Sequence, residues 1–357
     1  MNFSWIIGLF LSISSVTLAQ KIEYDKFGSR RLAVYLPEGY DESAESFKTV
    51  YFYDGQASFG NHPYSWRVQD KLTSLILEGK IEKIVAVGIY TDVNRTEDLI
   101  PYYDPYVAEN WGPYNPKGNK FDDFIINSLI PYVESKYKVQ ITGDSRALIG
   151  MSFAGLHAMY SGINNQGSFS LVAGISASLW VDNYHFMKDL KKINVGPKIW
   201  FDIGTAEWNQ YTRAIELFLD AGYEYGKNLF YFEEDGATHE SKYWIPRLEY
   251  PLILFAGSST NIKISSYEVK VEVIPSATSK KHYLRINPVV TREDGVMYSL
   301  ATQAGYEIMN PDSGTVNPDG SFEFTNNSDL KVKVSFQDWE EEITILYSDI
   351  RAKMKKD

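Results

Sequence analysis

The residues with the clearest chemical potential lie in Arg146-Ala-Leu-Ile-Gly-Met-Ser-Phe-Ala-Gly-Leu-His-Ala158, where a short apolar run leads into Gly150-Met151-Ser152-Phe153-Ala154-Gly155. Small residues flanking a serine permit a tight strand-to-helix turn, which lifts the hydroxyl above a sheet and sets a helix amino terminus beside it. Ser152 is thus the candidate nucleophile of an acyl transfer, and the backbone N–H of Phe153 a candidate oxyanion donor. Ala154 stands where a second glycine is usual; it is the smallest residue with a Cβ, and Gly155 adds room. The competing role for Ser152 is a plain helix N-cap.

Such a serine needs a base, and the base needs an orienting carboxylate, in the chain order serine, acid, histidine. The chain has five histidines. His62 and His157 precede or fall within the nucleophile helix, and His282 lies in a later β-rich stretch. His185 comes before the last predicted sheet strands. His239 follows the strand-like Leu229-Phe-Tyr-Phe-Glu-Glu234 in the loop Asp235-Gly-Ala-Thr-His239, where the base belongs. For the acid, Lys198-Ile-Trp-Phe-Asp-Ile-Gly-Thr-Ala-Glu207 offers two residues. Glu207 is favoured because it falls in the loop at the carboxyl end of the strand, where catalytic groups gather in such sheets; Asp202, within the strand, is the alternative. A second oxyanion donor is expected after an early central strand, and the backbone N–H of Gln56 in Tyr53-Asp-Gly-Gln56 fits, with Asp54 shaping the loop. Tyr102, Tyr103, Tyr106, Trp111 and Tyr114 form an aromatic, Pro-containing insertion. Tyr106 and Trp111, with Trp180 opposite, are candidates to line an acyl or sugar pocket, and ordinary surface packing is the competing reading.

These residues require a rigid sheet beneath them. Apolar runs at 31–36, 49–53, 84–89, 146–149, 171–175, 198–203 and 228–232 are continuous rather than alternating, as expected of strands buried on both faces. Phe121, Phe124, Ile125, Leu129, Val133 and Tyr137 fall at helical spacing, with a kink expected at Pro131. The alternation predicts an α/β fold with a mostly parallel central sheet. After Gly257 the texture changes. Tyr267-Glu-Val-Lys-Val-Glu-Val273, Lys331-Val-Lys-Val-Ser-Phe336 and Glu342-Ile-Thr-Ile-Leu-Tyr347 alternate with period two, separated by turn chemistry at Asn310–Gly314 and Asn317–Gly320.

From about Ser29 to Gly257 the chain resembles the esterase D-like esterase family of the α/β-hydrolase superfamily, which includes carbohydrate esterases of family one (feruloyl and acetylxylan esterases) and siderophore esterases. The matching pieces are Val34–Tyr40, Tyr53–Gln56, Arg95 with Asp98 and Pro101, Ile130–Tyr137, the Ser152 turn, Ser176–Trp180, Gly204-Thr-Ala-Glu207 and Gly236-Ala-Thr-His239. The resemblance implies a Ser-His-acid mechanism without metal or organic cofactor. It also supports Glu207, since the family's acid follows a Gly-Thr pair, although Asp is common there.

The expected organisation is a leader at 1–19, an α/β-hydrolase esterase domain at 20–258 and a small, Ig-like β-sandwich at 259–357. Met1–Ala19 carries the apolar run Trp5–Leu11 and small residues Thr17 and Ala19 before Gln20, which reads as a cleaved signal peptide and a secreted or periplasmic protein. That leader has no Lys or Arg. With 35 Lys and Arg against 46 Asp and Glu, the net charge of −11 opposes nucleic acid or anionic membrane partners. The absence of cysteine excludes disulfides, thiolate metal sites and a Cys nucleophile, and no metalloprotease, P-loop or dinucleotide fingerprint occurs. The function expected is hydrolysis of carboxylic esters, with carbohydrate-linked feruloyl or acetyl esters as the leading substrate class. A siderophore esterase, an acyltransferase and a noncatalytic glycan-binding protein are the alternatives. The oligomeric state is left open.

Overall fold

The continuous apolar runs form the centre of an eight-stranded sheet. The computed structural model describes residues 20–91, 93–188, 190, 196–207, 211–258, 262–275 and 282–355; the expected leader, 1–19, lies outside them. The strands are β1 (Lys21–Phe27), β2 (Arg30–Leu36), β3 (Lys48–Tyr53), β4 (Ile84–Ile89), β5 (Arg146–Met151), β6 (Leu171–Ile175), β7 (Lys198–Gly204) and β8 (Leu229–Glu234), in the spatial order β1-β2-β4-β3-β5-β6-β7-β8. β1 and β2 join antiparallel, and β4, β3, β5, β6, β7 and β8 are parallel. This is an α/β-hydrolase sheet. β4 and β6 are buried throughout, which is why their sequences show no alternation.

Successive side chains still point to opposite faces. Val34, Tyr51 and Leu148 enter one core, whereas Ala33, Val50 and Ile149 enter the other. β1 has no counterpart among the apolar runs. Its sequence, Lys-Ile-Glu-Tyr-Asp-Lys-Phe, is half charged and sits at the sheet edge, where charge discourages pairing with another chain.

The helix expected around Pro131 runs from Gly118 to Lys136, but its irregularity precedes the proline. Residues Ile125–Leu129 form a π-helical turn between Gly118–Phe124 and Ile130–Lys136. Pro131 lacks an N–H and its ring crowds the carbonyl four residues back, and widening the preceding turn accommodates both effects.

Beyond the sheet, antiparallel strands form a C-terminal region. β9 (Ile264–Pro275), β10 (His282–Arg292) and β11 (Met297–Ser299) make one sheet in the order β11-β10-β9. β12 (Gly305–Ile308), β15 (Leu330–Phe336) and β16 (Trp339–Ile345) make another, and β13 (Gly314–Val316) pairs with β14 (Phe322–Phe324). The alternating run expected to continue to Tyr347 leaves the strand at Ile345, and Tyr347–Met354 is a helix. The second core continues from Trp200, Phe230 and Phe232 into Leu284, Ile286, Val289 and Tyr298. A buried ion pair joins the same elements, Arg285 Nη2 to Glu233 Oε2 at 2.9 Å.

Candidate active site

The turn after β5 carries the site. Ser152 adopts φ 60° and ψ −124°, a backbone conformation unfavourable for a residue with a Cβ. Hydrogen bonds hold it there: Ser152 N donates to Ile175 O at 3.0 Å, and Ser178 N donates to Ser152 O at 3.0 Å. The glycine before it is sterically required, since a Cβ on Gly150 would fall 2.1 Å from Ala154 O. Helix Phe153–Asn164 starts at the next residue, so the Phe153 amide is one of the unpaired N–H groups of a helix amino terminus.

His239 Nε2 lies 3.0 Å from Ser152 Oγ, and its Nδ1 lies 2.6 Å from Glu207 Oε2. With Nδ1–H donating to the carboxylate, Nε2 is free to accept the serine proton. Two close approaches set this geometry. A Cβ on Gly204 would fall 2.0 Å from Ala237 O, so a glycine at the end of β7 lets the His239 loop come down beside Glu207. Gly236 N also donates to Thr205 Oγ1 at 2.8 Å. The His239 ring meets Trp244 edge-on, 4.8 Å between centroids.

Glu207 is buried. Its Oε1 accepts from Ser176 Oγ at 2.6 Å and from Gly204 N at 2.9 Å, which leaves Oε2 to His239. Burial works to raise its carboxyl, but the bonds from His239, Ser176 and Gly204 and the proximity of His239 prevail and hold it below the ordinary carboxylate range. Asp202, the alternative acid, is fully buried within β7 and bonds Trp200 Nε1 at 2.8 Å and Ser176 N at 3.0 Å. It does not meet the imidazole. His185 pairs instead with Asp182, Nδ1 to Oδ2 at 2.5 Å, and stacks on Tyr102.

Ser152 and His239 open into a cavity of ≈ 260 Å³. Trp111, Phe153, Trp180 and Tyr211 supply its aromatic wall, and Ser178 places its Oγ 3.4 Å from Ser152 Oγ. Trp111 lies 5.2 Å from the Phe153 ring and 6.2 Å from that of Trp180. Tyr106 is set back from the wall, buttressing Trp180 at 5.7 Å and Trp111 at 6.1 Å. Gln56 is also outside the lining. Its side chain turns to Asp54 Oδ1 and to the Thr91 amide, and its backbone sits in the helical turn Gly55–Ser58. Asp54 connects that turn to the cavity, since it binds Arg95 through two guanidinium nitrogens and Arg95 lies over the Phe153 ring. Sequence reasoning missed Ser178 and Tyr211 as cavity residues and Ser176 as a partner of Glu207. Of the segment Ser176–Trp180, Trp180 alone was a pocket candidate, and the rest stood out only as a family match. Among the described residues no group of three or more His, Asp or Glu could hold a metal ion, and no helix is long and apolar enough to cross a membrane.

Residues 28–254 match the family described as "Putative esterase". The chain belongs to this Esterase family. The chain is 26% identical over 170 residues to the siderophore enterobactin esterase of Emericella nidulans, covering 44% of this chain and 55% of that one. Among solved structures, it resembles a ferulic acid esterase with a TM-score of 0.52 and 17% identity, covering 67% of this chain and 98% of the other. It also resembles the siderophore hydrolase EstA from Aspergillus nidulans, with a TM-score of 0.53, 21% identity and coverage of 71% and 98%. At these identities the structural likeness is one of fold. Family membership assigns the chain to ester-bond chemistry at the coarse level.

Proposed function

We propose that this member of the Esterase family is a secreted serine esterase acting on esters of an aromatic acid with a neutral alcohol, polysaccharide-linked hydroxycinnamates being the leading class. The observation that carries the reading is the hydrogen-bonded series Ser152, His239 and Glu207 at the mouth of an aromatic-walled cavity. Ser152 Oγ attacks the ester carbonyl as His239 Nε2 takes its proton, and Glu207 stabilises the imidazolium. The amides of Phe153 and Gln56 hold the oxyanion. The C–O bond to the alcohol breaks, and His239 returns the proton to the leaving oxygen. Water, deprotonated by the same imidazole, then cleaves the acyl-enzyme to free acid and Ser152.

A flat acyl group suits walls formed by Trp111, Phe153 and Trp180 better than an acetyl group does, because ring faces and edges contribute more buried contact. The similarity to siderophore esterases motivates the second reading. Charge favours the first: among the described residues, those lining the cavity include Glu207 and His239 but no Lys or Arg, and adjacent Arg95 is neutralised by Asp54. A polyanionic iron chelate would meet no Lys or Arg among those described lining residues. Export rests on the leader at 1–19. Methyl ferulate, acetylated xylan and a catecholate siderophore, each offered to the purified chain, separate the readings. Methyl ferulate is expected to turn over fastest, and preference for the siderophore would reverse the assignment.

A further inference from the structure

Beneath Glu207 lies a buried charge for which simple acyl transfer has no use. Arg247, the last residue of helix Ser241–Arg247, is 1% exposed. Its Nη2 donates to Ser176 Oγ at 2.7 Å, and Ser176 Oγ donates onward to Glu207 Oε1 at 2.6 Å. The guanidinium also faces Asp202 Oδ1 at 3.3 Å, Glu234 Oε2 at 3.6 Å and Glu207 Oε1 at 3.9 Å. These carboxylates come from β7, the end of β8 and the loop after β7. Lys270 of β9 also acts on Glu234, Tyr250 of the helix Glu249–Ala256 interacts with Glu234, Asp202 and Arg247, Tyr211 interacts with Glu207 and Asp202, and His239 meets Glu207.

This arrangement is poorly explained as a device for stability. Arg247 Nε and Nη1 and Glu234 Oε2 are buried without a hydrogen-bond partner, and incompletely satisfied buried charges are often replaced by apolar side chains without loss. Ser176 is strained as well, with φ 43°. That conformation turns its amide to Asp202 and its hydroxyl between Arg247 and Glu207. A strained residue and a buried cation therefore converge on one oxygen of the carboxylate that meets the base.

We propose that Arg247, acting through Ser176, is a positioning residue for Glu207: it fixes Oε1 so that Oε2 is presented to His239, and it balances the carboxylate charge gathered beneath the imidazole. The inference rests on the serine-esterase reading above. Burial pushes Asp202 upward against the opposing pull of Arg247, Trp200 and Ser176, and burial likewise pushes Glu234 upward. Only Glu207 of the three is held low.

The test is the pH profile of p-nitrophenyl acetate hydrolysis by Arg247→Gln, Arg247→Lys and Ser176→Ala, with folding followed by circular dichroism. Removing the cation makes every nearby carboxylate harder to ionise and an imidazolium easier to form, and both effects move the acid limb of kcat/KM to higher pH. Arg247→Gln is expected to shift that limb by about half a unit or more, below the 1–3 units of a direct ion pair. Its kcat should fall about tenfold, a part of the roughly 10²–10⁴ that proton transfer by a positioned base provides, with KM little changed. Arg247→Lys should restore the limb. Ser176→Ala should lower kcat while leaving the limb in place, because the charge is retained. A folded Arg247→Gln whose limb does not move overturns the proposal, even where its kcat falls, since packing alone accounts for such a loss. If Arg247→Gln does not fold, a Ser176→Ala variant with unchanged kcat overturns it. Ser152→Ala run in parallel separates the two levels, because wild-type turnover there defeats the serine mechanism itself.

Discussion

Shortening Glu207 by one methylene, Glu207→Asp, keeps the charge and removes the reach. In the native site the carboxylate spans two directions at once, toward His239 Nδ1 at 2.6 Å and toward Ser176 Oγ at 2.6 Å and Gly204 N at 2.9 Å. Aspartate withdraws the oxygens by about 1.5 Å, one carbon–carbon bond. The contact to His239 would then open to about 4 Å, beyond the limit of about 3.2 Å for a hydrogen bond of this kind. A hydrogen bond to a charged group contributes about 1.5–3 kcal/mol, and each 1.36 kcal/mol of barrier is about tenfold in rate. The expected loss in kcat is therefore about 10- to 150-fold, with KM nearly constant because the carboxylate stands behind the imidazole. Steady-state hydrolysis of a p-nitrophenyl ester measures it, with Asp202→Asn as the companion variant. A Glu207→Asp protein with kcat within twofold of wild type, alongside an inactive but folded Asp202→Asn, would refute the assignment of the acid.

Two further outcomes follow from the charges and loops around the site. Glu272 is buried beside Glu233 and Arg285; burial first, then the Glu233 charge, push it up to about 8 from an unfolded value of 4.5 against the pull of Arg285 and Asn287. The native state then binds more protons than the unfolded chain between those two values, so stability falls as pH rises through that window; Glu272→Gln, with an uncharged amide there, should flatten the decline in Tm between pH 5 and 8, and an unchanged slope would count against it. Asp104 joins the two segments that carry the tryptophans, accepting from Tyr106 N at 2.8 Å, Val107 N at 3.1 Å and Asp182 N at 2.6 Å. Asp104→Ala should raise KM for methyl ferulate about fivefold, equivalent to about 1 kcal/mol, with a smaller change in kcat; an unaltered KM would show that the wall needs no such tie.

What was legible in the sequence was what local sterics or chain order dictate. The Ser152 turn is readable because Gly150 must clear the Ala154 carbonyl, a constraint that lies within five residues. His239 and Glu207 follow from strand ends in a parallel sheet, which fix where loops emerge. Trp111 and Trp180 announced a wall by type, but type could not separate them from Tyr106, which packs behind. Gln56 was placed from its loop for its backbone N–H, a role its side chain does not share, since that side chain bonds Asp54 and the Thr91 amide. Ser176 and Arg247 were illegible because their partners come from other elements, and the polar bonds joining them exist only after packing. The edge strand β1 and the terminal helix escaped notice for a related reason. Neither has a strong apolar period: β1 is exposed in alternation at the sheet margin, and the helix buries chiefly Ile350.

The most direct measurement is the mass of the intact chain after exposure to a fluorophosphonate ester, made on the wild type and on Ser152→Ala together with their p-nitrophenyl ester turnover. The wild type is expected to gain one phosphonyl group on Ser152 and lose activity in step. Ser152→Ala should remain unlabelled, with kcat reduced by at least about a thousandfold, as when one member of a cooperating triad is removed. Labelling elsewhere, or turnover by folded Ser152→Ala near the wild-type rate, would contradict the assignment of Ser152 as nucleophile.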